Sequence, residues 1–88
     1  MSFTLIYTFR ALKDLERLPP GARRRVLSAL GRLSAEEDPG RSVRRLPGSP
    51  LSSIRAGTYR VILEIRRETI NILVIRDRPR RNMYHDMR

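Results

Sequence analysis

The first third of the chain alternates briefly between apolar and polar positions and then changes to a helical period. The stretch "SFTLIYT" (Ser2–Thr8) is rich in β-branched and aromatic residues and predicts a short first strand. Thr8 can cap a helix that begins at Phe9. In "FRALKDLERL", four apolar residues recur at helical spacing: Ala11, Leu12, Leu15 and Leu18. The polar residues between them are expected to face solvent: Arg10, Lys13, Asp14 and Arg17.

A second amphipathic helix is predicted from Pro20 to Ser34. The pair Pro19-Pro20 ends the first helix and opens the second, because proline is tolerated in a first helical turn. The apolar stripe of this helix consists of Ala22, Val26, Leu30 and Leu33, and its flanks carry Arg23, Arg24, Arg25 and Arg32. We interpret the first three, Arg23, Arg24 and Arg25, as a solvated face, with contact to ribosomal RNA as the alternative. Two helices joined so closely are expected to form an antiparallel pair.

The stretch "AEEDPGRSVRRLPGSP" (Ala35–Pro50) is the one clear loop, because prolines and glycines interrupt every period in it. It joins a helical half to a strand-rich half, and neither half has enough apolar residues to bury a core alone. The sequence therefore predicts a single domain over residues 1–88.

The stretch "SIRAGTYRVILEI" (Ser53–Ile65) alternates like a half-buried hairpin, and "TINILVIR" (Thr69–Arg76) continues the pattern. A two-residue turn at Ala56-Gly57 would pair Ile54 with Tyr59. It would also pair Ser53 with Arg60, and Leu51 with Ile62. A second turn at Arg67-Glu68 would pair Ile65 with Ile70, Leu63 with Ile72, and Val61 with Val74.

These registers divide the side chains of the predicted sheet between two faces. One face suits packing on the helices: Ile54, Tyr59, Val61, Leu63, Ile65, Ile70, Ile72 and Val74. The other face is mixed: Ser53, Arg55, Arg60, Ile62, Glu64, Asn71, Leu73 and Ile75. The predicted fold is α+β, with an N-terminal strand, an antiparallel two-helix hairpin and a three-stranded antiparallel meander. The helices are expected on one face of the sheet.

Charge adds a functional indication. The 88 residues carry a formal net charge of +10, which points to a polyanionic partner. Residues 41–88 hold twelve basic and four acidic side chains, against seven and five in residues 1–40. Lys13 is the only lysine. Arginine suits bidentate phosphate contacts, although a genome rich in G and C would also favour arginine over lysine.

The chemistry that the residues can support is narrow. There is no cysteine and one histidine, which argues against a metal site, a disulfide framework and a serine or cysteine hydrolase. No glycine-rich phosphate loop and no long apolar run is present. We therefore expect a cytoplasmic protein without a cofactor or a membrane partner. Its arginines could orient RNA and stabilise a phosphorane. Tyr84 and His85 are the candidate bases.

The order of predicted elements and three motifs resemble the RelE/ParE superfamily of toxins from type II toxin–antitoxin systems. The stretch "IRAGTYRVILEI" is similar to the central hairpin of that family, typically R-x-G-x-Y-R-V-I-Y-x-I. "RPRRNMYH" resembles its C-terminal G-H-R-R-x-V-Y, and "RLPG" precedes the hairpin. The resemblance covers essentially the whole chain. It favours the RelE branch, whose members cleave mRNA in the ribosomal A site without a metal.

The resemblance also implies site residues and partners. The implied catalytic residues are Arg60, one of Arg80 and Arg81 (the resemblance does not say which), and Tyr84. The implied RNA-binding residues are Arg45, Arg55 and His85. The implied partners are mRNA on the ribosome and a cognate antitoxin, acidic, partly disordered and RelB-like. Operator DNA would be bound only through the toxin–antitoxin complex.

Four positions depart from the RelE pattern. Leu51 and Ser53 stand where RelE-type ribonucleases often have lysines, Pro79 replaces a histidine, and Leu63 replaces a strand tyrosine. Two alternatives therefore remain beside the endonuclease. One is a ParE-like or catalytically degenerate toxin that binds its target, such as a topoisomerase, without cutting RNA. The other is a non-toxic basic module that binds nucleic acid.

Overall fold

The fold is a five-stranded sheet with two α-helices packed on one face. The structure, a computed structural model, describes residues 2–77. The elements in chain order are β1 (Thr4–Tyr7), α1 (Phe9–Arg17), α2 (Pro20–Ser34), a 3-10 helix (Pro39–Ser42), β2 (Arg44–Arg45), β3 (Ser52–Ala56), β4 (Tyr59–Ile65) and β5 (Thr69–Asp77). Among these residues, neither helix is long and apolar enough to cross a membrane.

The strands lie in the order β1-β5-β4-β3-β2. β1 runs parallel to β5, and the other three pairings are antiparallel. The predicted α+β fold with its antiparallel meander is confirmed. The two-residue strand β2 was not predicted, because it lies inside the stretch that was interpreted as a loop.

The core forms between the helices and one face of the sheet. The apolar stripe of α2 is confirmed, since all four of its predicted residues are buried. They pack with fully buried side chains of the central strands, namely Val61, Leu63, Ile70 and Ile72. Tyr59, expected in the core, is half-buried and packs against this cluster. Burial raises the pKa of Tyr7, which packs on the same cluster from β1.

The buried face of α1 differs from the predicted stripe. Leu12 is 46% exposed, whereas Asp14, expected to face solvent, is only 9% exposed. The Asp14 carboxylate accepts a hydrogen bond from the backbone N–H of Ile75 at 3.0 Å and one from Arg10 Nε at 3.1 Å. β5 extends beyond β1, so this N–H has no strand partner on that side. The carboxylate therefore satisfies a buried donor that would otherwise be orphaned.

Thr8 acts on the same edge of the sheet. As predicted, its Oγ1 caps α1 by accepting the Ala11 N–H at 3.0 Å. The same hydroxyl donates to the carbonyl of Leu73 at 2.8 Å, and the Thr8 N–H donates to the carbonyl of Ile72 at 3.0 Å. The start of α1 thus takes over the hydrogen bonding of β5 where β1 ends.

The turn between β3 and β4 lies one residue later than predicted. The central residues are Gly57 and Thr58, and Ile54 pairs with Val61 rather than with Tyr59. Gly57, at the first central position, has φ +63°, and no non-glycine residue among those described has a positive φ. This is the pattern of a type II′ turn, which favours glycine at that position. The partner of Ile54 moves by two positions, and a move of two keeps every side chain on its predicted face.

The pairing of β4 with β5 begins as predicted and then changes register at a β-bulge. Ile65 pairs with Ile70 and Leu63 with Ile72, but Val61 pairs with Ile75 instead of Val74. Leu73 is the extra residue of the bulge. Ile75 therefore turns to the helices and is 4% exposed, which corrects its predicted place on the mixed face.

Arg23 differs from the other arginines of α2 because its side chain forms hydrogen bonds to the end of α1. Its Nε donates to the carbonyl of Leu15 at 3.2 Å, and its Nη2 donates to the carbonyls of Glu16 and Leu18 at 3.1 Å. These carbonyls lie in the last turn of α1 and the residue after it, where the helix leaves acceptors without partners. Arg23 therefore fastens the start of α2 to the end of α1.

Replacing Arg23 with glutamine is expected to lower the free energy of unfolding by about 1 kcal/mol, because several charge-assisted hydrogen bonds are lost. The matched control is Arg24→Gln, one residue along the same helix and exposed, which is expected to change it by less than about 0.5 kcal/mol. Urea unfolding followed by circular dichroism measures both. Equal losses in the two variants would contradict the role given to Arg23.

Candidate nucleic-acid interface

Three arginines lie side by side on the three middle strands of the sheet. Arg55 on β3 pairs with Arg60 on β4, and Arg60 pairs with Arg76 on β5. Side chains of directly paired residues leave the sheet on the same side, with Cβ atoms about 5 Å apart. The three side chains therefore project from the face away from the helices. We call Arg55, Arg60 and Arg76 the arginine row.

The β-bulge places the third member of the row. If Leu73 paired regularly and β5 had no bulge, the predicted register would continue and Arg76 would lie on the helix side of the sheet. The sequence shows Arg76 only as part of a basic tail. A bulge leaves no reliable mark in a run of apolar residues, so Arg76 was not among the predicted site residues.

A groove of about 390 Å³ lies beside the row at the β3 edge of the sheet. Its lining includes four arginines, namely Arg41, Arg44, Arg55 and Arg60, together with Ser42, Val43, Ser53 and Ile54. The arginines come from three strands and from the 3-10 helix that precedes β2. Four arginines from four elements thus line one groove, which suits an anion with more than one oxygen.

Arg44 supplies positive charge where Ser53 lacks it. Ser53 is 5% exposed and pairs directly with Arg44 of β2. Both residues line the groove. Arg44 therefore places a cation directly beside the β3 position where the RelE pattern often has a lysine. Sequence reasoning missed Arg44, since nothing in the loop "GRSVRRLPG" indicates that two of its residues join the sheet.

The arginine row has no carboxylate partners within the part of the chain that the structure describes. The ion pairs found among residues 2–77 are Arg10–Asp14 and Arg66–Glu64. Like charges placed directly opposite each other in a sheet destabilise it by a few tenths of a kcal/mol to about 1 kcal/mol per pair. A row that is unfavourable for the fold is well suited to hold an anion.

Of the site residues predicted from the sequence, two lie in the arginine row, one lies away from the groove and four lie outside the described part of the chain. Arg55 and Arg60 lie in the row. Arg45 pairs with Ser52, on the other side of the sheet from Arg44, and its Nε donates to the carbonyl of Ser49 at 3.3 Å. It does not line the groove. The remaining predicted site residues lie outside the described residues: Arg80, Arg81, Tyr84 and His85.

The chemistry of the described groove is electrostatic. Guanidinium groups stay protonated and cannot accept a proton in a reaction. Apart from its arginines the groove is lined by two serines, a valine and an isoleucine, so no lining side chain can take a proton from a serine hydroxyl. The described groove can therefore bind and orient a phosphodiester and stabilise added negative charge on it. A proton acceptor would have to come from elsewhere, and Tyr84 and His85 remain the predicted candidates.

Two crystal structures of toxin–antitoxin complexes are clearly similar to this chain. A chain of the RelBE2 complex from Mycobacterium tuberculosis is 34% identical, with a TM-score of 0.75 over 89% of this chain and 93% of that one. A chain of the archaeal RelE–RelB complex from Pyrococcus horikoshii is 30% identical, with a TM-score of 0.75 over 91% and 99%. Isolated Escherichia coli RelE, at 18% identity, has the same fold, with a TM-score of 0.76 over 98% and 95%.

The family comparison agrees with the structural ones. The family model described as the ParE toxin of the type II toxin–antitoxin system parDE matches residues 5–84. A comparison with curated proteins found no match. The family match covers nearly the whole chain, and the structural matches extend over both helices and the sheet. The chain therefore belongs to the ParE toxin family, within the RelE/ParE superfamily of toxins of type II toxin–antitoxin systems.

Proposed function

We propose that this toxin is a ribosome-dependent mRNA endonuclease of the RelE type, active in the cytoplasm. The observation that carries the proposal is the arginine row, with Arg44 beside it in the groove. Three cationic side chains that have no carboxylate partner among residues 2–77 form an arrangement that a purely structural surface would avoid. A phosphodiester with developing charge is the ligand that it fits best.

In the proposed reaction, the 2′-hydroxyl of the mRNA attacks the adjacent phosphorus. The bond from phosphorus to the 5′-oxygen of the next nucleotide breaks, leaving a 2′,3′-cyclic phosphate and a 5′-hydroxyl. The 2′-oxygen gives its proton to a base, for which Tyr84 or His85 is proposed, and the leaving 5′-oxygen takes a proton from water. Arg60, at the centre of the row, stabilises the extra charge on the nonbridging oxygens. Arg55 and Arg76 orient the phosphate from either side.

The proposed regulator is an acidic, partly disordered antitoxin of the RelB type. The similar structures are the RelBE2 toxin–antitoxin complex of M. tuberculosis and the RelE–RelB complex of P. horikoshii. This chain offers exposed apolar side chains on α1 and α2, namely Phe9 at 75%, Leu12 at 46% and Leu27 at 42%. An acidic chain that folds across them would bury apolar surface and neutralise part of the +10 charge. Operator DNA would be bound through that complex.

The test is primer extension on an mRNA in a reconstituted translation system. We expect cuts at codon-phased positions that require both the toxin and ribosomes, and that disappear when the antitoxin is added. The same mRNA without ribosomes is expected to stay intact. Intact mRNA in the translating reaction, with a toxin that still arrests growth, would overturn the proposal.

A ParE-like toxin that binds its target without cutting RNA is the second candidate. It is favoured by Leu51 and Ser53, where RelE-type ribonucleases often have lysines, and by the burial of Ser53. The family model that matches is also that of ParE. Supercoiling by purified DNA gyrase in the presence of the toxin separates the two functions, since only the second candidate is expected to inhibit it.

A further inference from the structure

A second cationic groove lies on the opposite side of β3 from the arginine row. It has a volume of about 470 Å³ and runs between α2 and the turn that joins β3 to β4. Its lining includes four arginines, Arg24, Arg25, Arg32 and Arg55, together with Gly21, Ser28, Ala29, Ala56 and Gly57. We call it the α2 groove. It contains no residue that the sequence interpretation assigned to the site except Arg55.

Close packing at the turn fixes one wall of the α2 groove. A Cβ atom on Gly57 would lie 3.3 Å from Arg25 Cδ and 3.8 Å from its Nη1. The Arg25 side chain therefore lies over the turn, with its guanidinium end beside the hairpin. The neighbouring Arg23 is held at the end of α1. The consecutive arginines of α2 thus have separate positions, and only the second and third face this groove.

Arg55 joins the two grooves. It lines the groove beside the arginine row and also the α2 groove. Positive charge therefore continues from Arg76 and Arg60, around the end of β3, to Arg25. A smaller cavity of about 150 Å³ between them is also lined by Arg32 and Arg55. Glu36 lines that cavity and accepts a hydrogen bond from Ser42 Oγ, so it gives the cationic path an acidic boundary on this side.

The composition of the α2 groove favours nucleic acid over a protein segment. A helix or strand of a partner protein needs an apolar surface to cover. The large apolar side chains that are exposed in the described part of the chain lie elsewhere: Ile6, Phe9, Leu12 and Leu27. The α2 groove offers guanidinium groups and the Ser28 hydroxyl instead. These are the donors that bind the sugar–phosphate backbone without reading sequence.

We propose that the α2 groove binds the backbone of the same single-stranded RNA whose scissile phosphate lies at the arginine row. The strand would pass Arg55 and continue along α2, where Arg25 and Arg32 are about 10 Å apart along the helix axis. This inference rests on the proposed endonuclease function. It assigns Arg24, Arg25 and Arg32 to substrate binding, away from the reacting atoms.

The test compares two triple variants that remove equal charge. The groove variant is Arg24→Gln/Arg25→Gln/Arg32→Gln. The control variant is Arg17→Gln/Arg66→Gln/Arg67→Gln, whose positions do not line the α2 groove. Fluorescence anisotropy of a labelled single-stranded RNA, which is expected to stay intact without ribosomes, gives Kd at several salt concentrations. Circular dichroism and thermal melting confirm that each variant is folded.

We expect the groove variant to bind at least about tenfold more weakly at low salt, and its slope of log Kd against log salt to fall by about 2. The control variant is expected to change Kd by less than about threefold. Shortening the RNA to a dinucleotide is expected to abolish the difference between groove variant and wild type. Equal weakening of both triple variants would overturn the proposal, as would loss of antitoxin binding with RNA affinity unchanged.

The two proposals fail in different ways. If the toxin binds RNA through the α2 groove but never cuts mRNA on ribosomes, only the endonuclease proposal fails. If it cuts mRNA and the groove variant cuts and binds as well as wild type, only the groove proposal fails.

Discussion

Replacing Arg60 with glutamine is expected to lower the rate of mRNA cleavage about 10²- to 10³-fold, the usual effect of removing one donor that stabilises a developing oxyanion. Arg60 is the central member of the arginine row, with Arg55 opposite it on one strand and Arg76 on the other. The same change is expected to raise the free energy of unfolding slightly, because two cross-strand repulsions disappear. Single-turnover cleavage on ribosomes and urea unfolding measure the two effects.

The control for this prediction is Arg66→Gln. Arg66 follows β4 and forms an ion pair with Glu64 at 3.6 Å, so the change removes the same charge without touching the row. Cleavage by this variant is expected to remain within about threefold of wild type. If the Arg60→Gln toxin cut at the wild-type rate, Arg60 would have no role in the reaction. A toxin that loses both activity and stability would indicate a structural role.

Replacing Asp14 with alanine is expected to lower the free energy of unfolding by about 2–3 kcal/mol. The change leaves the buried N–H of Ile75 without an acceptor and removes the ion pair with Arg10. A domain of this size has a total stability of about 5–15 kcal/mol, so the loss is large. It corresponds to a fall in Tm of roughly 10–20 °C, which differential scanning calorimetry would measure.

Arg10→Ala isolates the contribution of the ion pair to that loss. The Arg10 side chain is 65% exposed, and an exposed pair of this spacing contributes only about 0.3–0.5 kcal/mol. We therefore expect most of the effect of Asp14→Ala to persist when it is made in the Arg10→Ala background. If Arg10→Ala alone were as destabilising as Asp14→Ala, the bond to Ile75 would not be the important one.

The helices were predictable because their signals are local. Thr8 at the cap, the paired prolines and the apolar stripe of α2 each act within a few residues, and the structure confirms all three. The faces of the sheet were predictable for a related reason. Alternation survives a change of register by two residues, so the misplaced turn at Ala56-Gly57 did not move Arg55 or Arg60 to the wrong face.

The features that the sequence could not predict depend on contacts between distant segments. At the bulge, the carbonyl of Leu73 and the N–H of Ile75 bond to Thr8 and Asp14, which lie 65 and 61 residues before their respective partners. A carboxylate on an amphipathic helix is normally expected to face solvent, so the predicted exposure of Asp14 was wrong. Arg76 and Arg44 could not be predicted for the same reason. The position of Arg76 depends on the bulge, and that of Arg44 depends on the pairing of the two-residue strand β2 with β3.

An anion that binds at the arginine row would stabilise the folded state of this toxin. An anion that binds the folded row and not the unfolded chain stabilises the fold by RT ln(1 + [L]/Kd), or about 2.7 kcal/mol when its concentration is a hundred times Kd. The free chain, whose arginines repel each other across three strands, is the least stable form. We therefore expect an anion bound at the row to lower the fraction of free toxin that is unfolded and open to proteolysis.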